Sequence, residues 1–128
     1  TDEEFAETLE TVRQIGFSKI HMFPFSARRG TPAADMKDQL PKQLKKARGK
    51  QLGVLEDELR HAYFTSLIGS ELEVLVEAQD RENTSQMVGT ACRYAPVQFT
   101  GEESMIGTLV KVVAERVEGD RIVARLVV

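Results

Sequence analysis

Cysteine is almost absent: Cys92 is the only one in 128 residues. One thiol forms no internal disulfide and no multi-thiolate metal site, and two histidines, His21 and His61, add too few ligands for a metal centre made by this chain alone. No apolar run approaches the ~20 residues needed to cross a bilayer, and no basic-then-apolar leader opens the chain. These absences predict a soluble, intracellular chain, assigned to the cytoplasm, with no membrane partner and no metal site. What is present suffices for folding: a 41% hydrophobic chain of 128 residues can bury one good core or two small ones.

The net charge of −3 hides a gradient, since residues 1–37 carry −1, residues 38–67 carry +2 and residues 68–128 carry −4. By charge count the last part is a poor nonspecific polyanion binder. A basic face there has to be assembled from Arg81, Arg93, Lys111, Arg116, Arg121 and Arg125 amid many carboxylates.

The one long periodic stretch runs from Asp38 to Leu67. Leu40, Leu44, Ala47, Gln51 or Leu52, Leu55, Leu59, Ala62 and Tyr63 fall on one drifting face, which predicts a helix burying one stripe. Asp38 is expected as N-cap, Pro41 in the first turn, where no backbone bond is lost, and Gly69 as the stop. Lys42, Lys45, Lys46, Arg48 and Lys50 crowd the half that the helix dipole disfavours for cations. Gly49 and Gly53 cost about 1 kcal/mol each against alanine, so packing rather than propensity must hold this helix.

Before it, Thr1–Ile15 places Phe5, Leu9 and Val12 on one face, flanked by Ala6 and Ile15, and predicts an amphipathic helix ended by Gly16. From Phe17 to Phe25 the period changes, with Ile20, Met22 and Pro24 alternating with His21, Phe23 and Phe25. A strand of that kind after a helix resembles one unit of a larger parallel sheet, whose neighbours are missing or come from another copy. Residues 26–37 have the composition of an irregular loop.

After Gly69 the pattern turns to strands. Leu72, Val74 and Val76 alternate with Glu71, Glu73 and Glu77; Asp80–Gln86 is a polar turn; Met87–Phe99 supplies one or two short strands interrupted near Pro96. Thr100–Ser104 is another turn, Met105–Val117 a longer strand, and Gly119-Asp120 a tight turn into Arg121–Val128. Four or five short antiparallel strands predict a small barrel, because curling the sheet removes exposed edges.

The run His21-Met22-Phe23-Pro24-Phe25-Ser26-Ala27-Arg28-Arg29-Gly30-Thr31-Pro32-Ala33-Ala34, preceded by Thr1-Asp2-Glu3-Glu4-Phe5 and followed by Asp38-Gln39-Leu40-Pro41, resembles the carboxy-terminal part of a radical S-adenosylmethionine tRNA methylthiotransferase. Among these it is most similar to the branch that modifies N6-threonylcarbamoyladenosine at position 37. Leu67-Ile68-Gly69-Ser70-Glu71-Leu72-Glu73-Val74-Leu75-Val76-Glu77 resembles the entry to the TRAM domain, a small RNA-binding β-barrel. The resemblance implies an α+β chain in three parts: residues 1–37 as a helix-strand remnant of the radical SAM α/β barrel, residues 38–67 as a long connecting helix, and residues 68–128 as an antiparallel, OB-like TRAM barrel.

It also implies a parent enzyme that replaces the C2 hydrogen of the modified adenine with a methylthio group, using two [4Fe–4S] clusters and S-adenosylmethionine. The three-cysteine cluster motif of that family does not occur here, so the chain is expected to be an inactive fragment that positions the tRNA anticodon stem-loop. Self-association through the truncated barrel edge is a further expectation. The alternatives are a nonenzymatic RNA-binding module and part of a ribosomal-protein methylthiotransferase.

Residue roles follow from the same two sources. The resemblance carries cofactor contact, in the intact enzyme, to Phe23, Pro24, Phe25 and Ser26; from the residues alone Phe23 and Phe25 read as core, and His21 as a packed strand residue, since no second acid or base lies near it. Arg28 and Arg29 beside Gly30 are either a phosphate grip or a solvated loop, and Lys42, Lys45, Lys46, Arg48 and Lys50 an RNA-facing patch or a solvated helix face. Cys92 reads as a small buried hydrophobe. In Gly89-Thr90-Ala91-Cys92-Arg93-Tyr94 with Val97, where the family carries a glycine, aromatic, threonine, asparagine and tyrosine pattern, the first aromatic and the asparagine are lacking. Arg93 and Tyr94 remain as candidates to contact phosphate and stack on a base, against a surface arginine and a core tyrosine.

Overall fold

Thr1 opens the first helix as its N-cap. Its hydroxyl accepts from the Glu4 N–H while the Glu4 carboxylate reaches back to the Thr1 backbone nitrogen, so two otherwise orphaned donors are satisfied and α1 runs Asp2–Ile15. Gly16 ends it in the left-handed conformation, φ 73°. The computed structural model describes all residues, Thr1–Val128, and divides them into two compact units, Thr1–Arg60 and His61–Val128. No helix is long and apolar enough to cross a membrane.

In the first unit, Phe5, Leu9 and Val12 are the half-buried positions of α1, as their spacing predicts. The helix expected from Asp38 starts later: α2 runs Lys42–Ser66. Asp38 is not its cap but a left-handed residue, φ 64°. Pro41 stands just before the helix, and its carbonyl accepts the first helical bond, from Lys45 N–H at 3.1 Å. The ring of Pro41 disfavours helical geometry at Leu40, which blocks any extension towards Asp38. The buried stripe also differs from the expected one. Within this unit Leu44, Leu52, Leu55 and Leu59 face inward, whereas Leu40 and Ala47 are exposed; past Arg60, in the second unit, Ala62 is exposed, Tyr63 is half-buried and Phe64 is buried.

The strand expected within Phe17–Phe25 does not form. Residues 17–28 lie without secondary structure, because a strand needs a ladder partner and the neighbour in this unit is a helix whose backbone groups are already paired. The segment takes side-chain partners instead: Ile20 N–H donates to the Glu56 carboxylate at 2.8 Å, and Lys45 Nζ donates to the Phe25 carbonyl at 2.9 Å. The expected core roles fail with the strand. His21 is exposed, Phe23 is 86% exposed and Phe25 46%. A short 3-10 helix, Pro32–Asp35, capped by Thr31, interrupts the loop that follows.

In the second unit α2 ends at Ser66, and Gly69, φ 83°, turns the chain so that its N–H donates to the Ala114 carbonyl at 2.8 Å. Five strands follow: β1 Glu71–Gln79, β2 Gln86–Ala91, β3 Pro96–Thr100, β4 Leu109–Glu118 and β5 Arg121–Leu126. They close into a barrel in the order β1-β2-β3-β5-β4. The alternation read in β1 holds, with Leu72, Val74 and Val76 inside. Phe99, Leu72, Met87 and Ile122 are the largest fully buried side chains, each contributing about 1.5–3 kcal/mol by leaving water.

Three expectations for this unit need correction. The pairing is not all antiparallel, since β3 and β5 run parallel. Directions alternate between antiparallel neighbours, so a closed ring of five must contain a like-directed pair. Residues 103–105 form a 3-10 turn and Gly107 has φ 82°, so β4 begins at Leu109 rather than Met105. The break between β2 and β3 falls at residues 92–95, beside Pro96 as expected, but it leaves Cys92 exposed in a loop rather than buried.

The polar turn between β1 and β2 is built on Asp80. Its Oδ1 accepts from the N–H groups of Glu82 and Asn83 at 2.8 and 3.1 Å, and its other oxygen faces Arg121 at 3.5 Å. Those two backbone bonds, with help from Arg121, hold the carboxyl below its ordinary value of 3.8. A depressed folded pKa stabilises fully above the unfolded value and is lost as pH falls through the folded one. Wild-type chain should therefore exceed Asp80→Asn in urea stability at neutral pH and lose that advantage below about pH 4. A constant gap across the series would remove this carboxylate from the pH dependence.

Candidate nucleic-acid interface

Ala91 N–H donates to the Ala95 carbonyl and Tyr94 N–H to the Ala91 carbonyl, both at 2.9 Å, which closes a three-residue hairpin loop of Cys92, Arg93 and Tyr94. Such loops put their third residue in the left-handed region, where glycine is the favoured occupant. Here the third residue is Tyr94, at φ 61° and 89% exposed. A bulky side chain is held in a costly backbone conformation and turned to solvent, which overturns the reading of Tyr94 as a core residue. Ala91 and Ala95, buried at the two ends of the loop, anchor it to the barrel core. The Arg93 side chain is exposed, and its carbonyl accepts from the Tyr63 hydroxyl at 2.8 Å.

Most barrel cations are neutralised locally. Lys111 faces Glu71 at 3.6 Å, Arg116 faces Glu118 at 2.8 Å, Arg121 faces Asp80 at 3.5 Å and Arg125 faces Glu115 at 3.3 Å. Arg81 and Arg93 have no carboxylate partner. They flank opposite ends of β2, about 20 Å of strand apart, so Arg93 and Tyr94 form one locus by themselves.

The first unit sorts its cations differently from the expected patch. Lys45 is tied to the Phe25 carbonyl. Arg48 stacks over the Phe5 ring at 5.0 Å and pairs with Asp2 at 2.9 Å, leaving its side chain 14% exposed. Lys42, Lys46 and Lys50, four residues apart, remain as an exposed ridge. Arg28 and Arg29 are exposed at the turn where the Thr31 N–H and hydroxyl donate to the Arg28 carbonyl. A groove of about 740 Å³ brings Phe23, Pro24, Phe25 and Ser26 beside Lys42, Lys45, Lys46 and Arg48; Arg28, Arg29 and Lys50 lie outside it. No group of three or more His, Cys, Asp or Glu is placed to hold a metal ion.

The TRAM domain family matches residues 65–123, the end of α2 and the barrel as far as β5. This part of the chain is a TRAM domain. Across 90% of its length the chain is 40% identical to a tRNA-2-methylthio-N(6)-dimethylallyladenosine synthase of Desulfitobacterium hafniense, and across 88% it is 40% identical to the threonylcarbamoyladenosine tRNA methylthiotransferase MtaB of Bacillus subtilis. A synthase of the former kind from Geobacillus kaustophilus is also 40% identical. The chain spans 21–26% of the length of these relatives, matching their carboxy-terminal region. The resemblance carried by residues 17–41 and 67–77 is thus borne out for tRNA methylthiotransferases as a group. Relatives named for two different modified adenosines match at the same identity, so the comparisons do not single out a branch. Beside the TRAM domain's Arg93 and Tyr94, sequence reading missed the link from Tyr63, since nothing in a helical tyrosine signals a partner thirty residues on.

Proposed function

We propose that this chain is the substrate-positioning part of a tRNA methylthiotransferase, with Arg93 and Tyr94 of its TRAM domain contacting the anticodon stem-loop. The observation that carries the reading is the exposed Tyr94 ring, held at positive φ beside an unpaired guanidinium: one group can stack on a base and the other meet a phosphate. In this reading residues 1–37 are the end of a radical SAM barrel, 38–67 the connecting helix and 68–128 the TRAM barrel, working in the cytoplasm. Lys42, Lys46, Lys50, Arg28 and Arg29 extend the contact along the phosphates, and Phe23, Pro24, Phe25 and Ser26 reach S-adenosylmethionine in the intact enzyme. The donor set does not fit an iron–sulfur cluster, because Cys92 is the single thiol and lies exposed. No radical step is therefore assigned to these residues, and the chain by itself is inactive.

The substrate nucleoside we assign is N6-threonylcarbamoyladenosine 37, supported by the Bacillus subtilis relative that bears that name. Anticodon stem-loops carrying this nucleoside, the dimethylallyl analogue or plain adenosine should bind the chain with affinity that falls as salt rises, the threonylcarbamoyl form tightest. No binding at low salt would sink the RNA reading, and preference for the dimethylallyl form would move the branch. Self-association belongs to the same reading, through the exposed apolar side chains of residues 17–40. Sedimentation of the chain over a concentration series checks it, and a monomer throughout would remove it.

A further inference from the structure

The peptide plane between Arg93 and Tyr94 is held at both of its polar ends. On one side the Tyr94 N–H donates to the Ala91 carbonyl at 2.9 Å; on the other the Arg93 carbonyl accepts from the Tyr63 hydroxyl at 2.8 Å. Rotation of that plane is what φ of Tyr94 measures. Relaxing Tyr94 from +61° to an ordinary negative φ would swing the Arg93 carbonyl away from Tyr63 and break the second bond. The donor is itself well fixed. Tyr63 is half-buried in the last turns of α2, packs against the barrel core and meets the Phe64 ring at 5.9 Å, so its hydroxyl sits on a rigid stalk.

From this geometry we propose that Tyr63 is a positioning residue for RNA recognition: its hydroxyl locks the Arg93–Tyr94 peptide plane and thereby keeps the Tyr94 ring displayed. The inference rests on the reading of Tyr94 as a base-stacking residue. It assigns a role to a side chain that need not touch RNA. A loop left free to relax would populate the displayed form only part of the time, and apparent affinity falls by that fraction.

The test is a double-mutant cycle in the whole chain, with unfractionated transfer RNA as probe and Tyr63→Phe, Tyr94→Gly and the double variant compared. Tyr63→Phe keeps the packed ring, so the barrel core stays closed. It should weaken binding about threefold to tenfold at every salt concentration, without changing the salt slope. In the Tyr94→Gly background the same change should do nothing further, since no ring remains to be positioned. Without RNA, amide NMR of Tyr63→Phe should show Tyr94 leaving its positive-φ signature while the strand resonances stay in place. A loss equally large in both backgrounds overturns the proposal, as does a Tyr94 signature unmoved by Tyr63→Phe. If Tyr94→Gly by itself leaves affinity unchanged, the underlying stacking reading fails instead. If it weakens binding and Tyr63→Phe does not, only the positioning role fails.

Discussion

Tyr94→Gly is expected to lower transfer RNA affinity about 5- to 150-fold at all salt concentrations, the value of one stacked base at about 1–3 kcal/mol. The same change should make the barrel about 1 kcal/mol more stable, because glycine accepts the left-handed backbone that costs tyrosine. The two effects have opposite signs, so a loss of binding cannot be blamed on unfolding. Arg93→Ala should act differently. It removes a charge but keeps the carbonyl that Tyr63 holds, so binding should weaken chiefly at low salt and the salt slope should flatten by about one charge. Binding titrations over a salt series, paired with urea unfolding, measure both. Unchanged affinity in Tyr94→Gly and Arg93→Ala would return them to plain surface residues and shift RNA recognition to Lys42, Lys46 and Lys50 or to Arg28 and Arg29.

Gly89→Ala should be the most damaging single methyl in the barrel. Gly89 lies in β2, buried between Val76 of β1 and Val97 of β3. A Cβ there would run into the Leu75 carbonyl and stand 2.9 Å from Val74 Cγ1. The obstacle is the backbone of a paired strand, which cannot move without parting β1 from β2 next to the register shift at Val76/Ala78. A loss of about 3 kcal/mol or more is expected, at the upper end for overpacking. Gly49→Ala is the matched control. It sits in α2 with nothing within 4 Å of the added carbon and should gain up to about 1 kcal/mol. Urea unfolding of both variants decides the matter, and a Gly89→Ala barrel as stable as wild type would mean that β1 and β2 can separate at no cost.

Legibility from sequence tracks the range of the interaction concerned. The amphipathic spacing of Phe5, Leu9 and Val12, the stop at Gly16, the alternation Leu72, Val74, Val76 and the turn at Gly119-Asp120 all depend on neighbours within a few residues, and all stand in the structure. Residues 19–25 show the opposite case. Their pattern is that of a strand, but hydrogen bonds to a partner make a strand, and within Thr1–Arg60 their partners are Glu56 and Lys45. Lys45 and Arg48 likewise look no different in sequence from Lys46, and only the fold draws them to Phe25, Phe5 and Asp2.

By itself the sequence determined two helices, a strand-rich second half able to curl into a barrel, the kinship with tRNA methylthiotransferases, and Arg93 and Tyr94 as the residues to examine. Periodicity, caps and turn chemistry are local, and a short run of residues states them completely. Tertiary structure alone decided that β5 closes the ring beside β3 in parallel, that Tyr94 points outward at positive φ, and that Tyr63 holds the carbonyl next to it. The β3–β5 pairing and the Tyr63 bond join groups about twenty-five to thirty residues apart, brought together by closure of the core around Phe99 and Leu72, and no local pattern encodes where such a closure will place them; the φ of Tyr94 is set by the short loop that Ala91 and Ala95 anchor in that core.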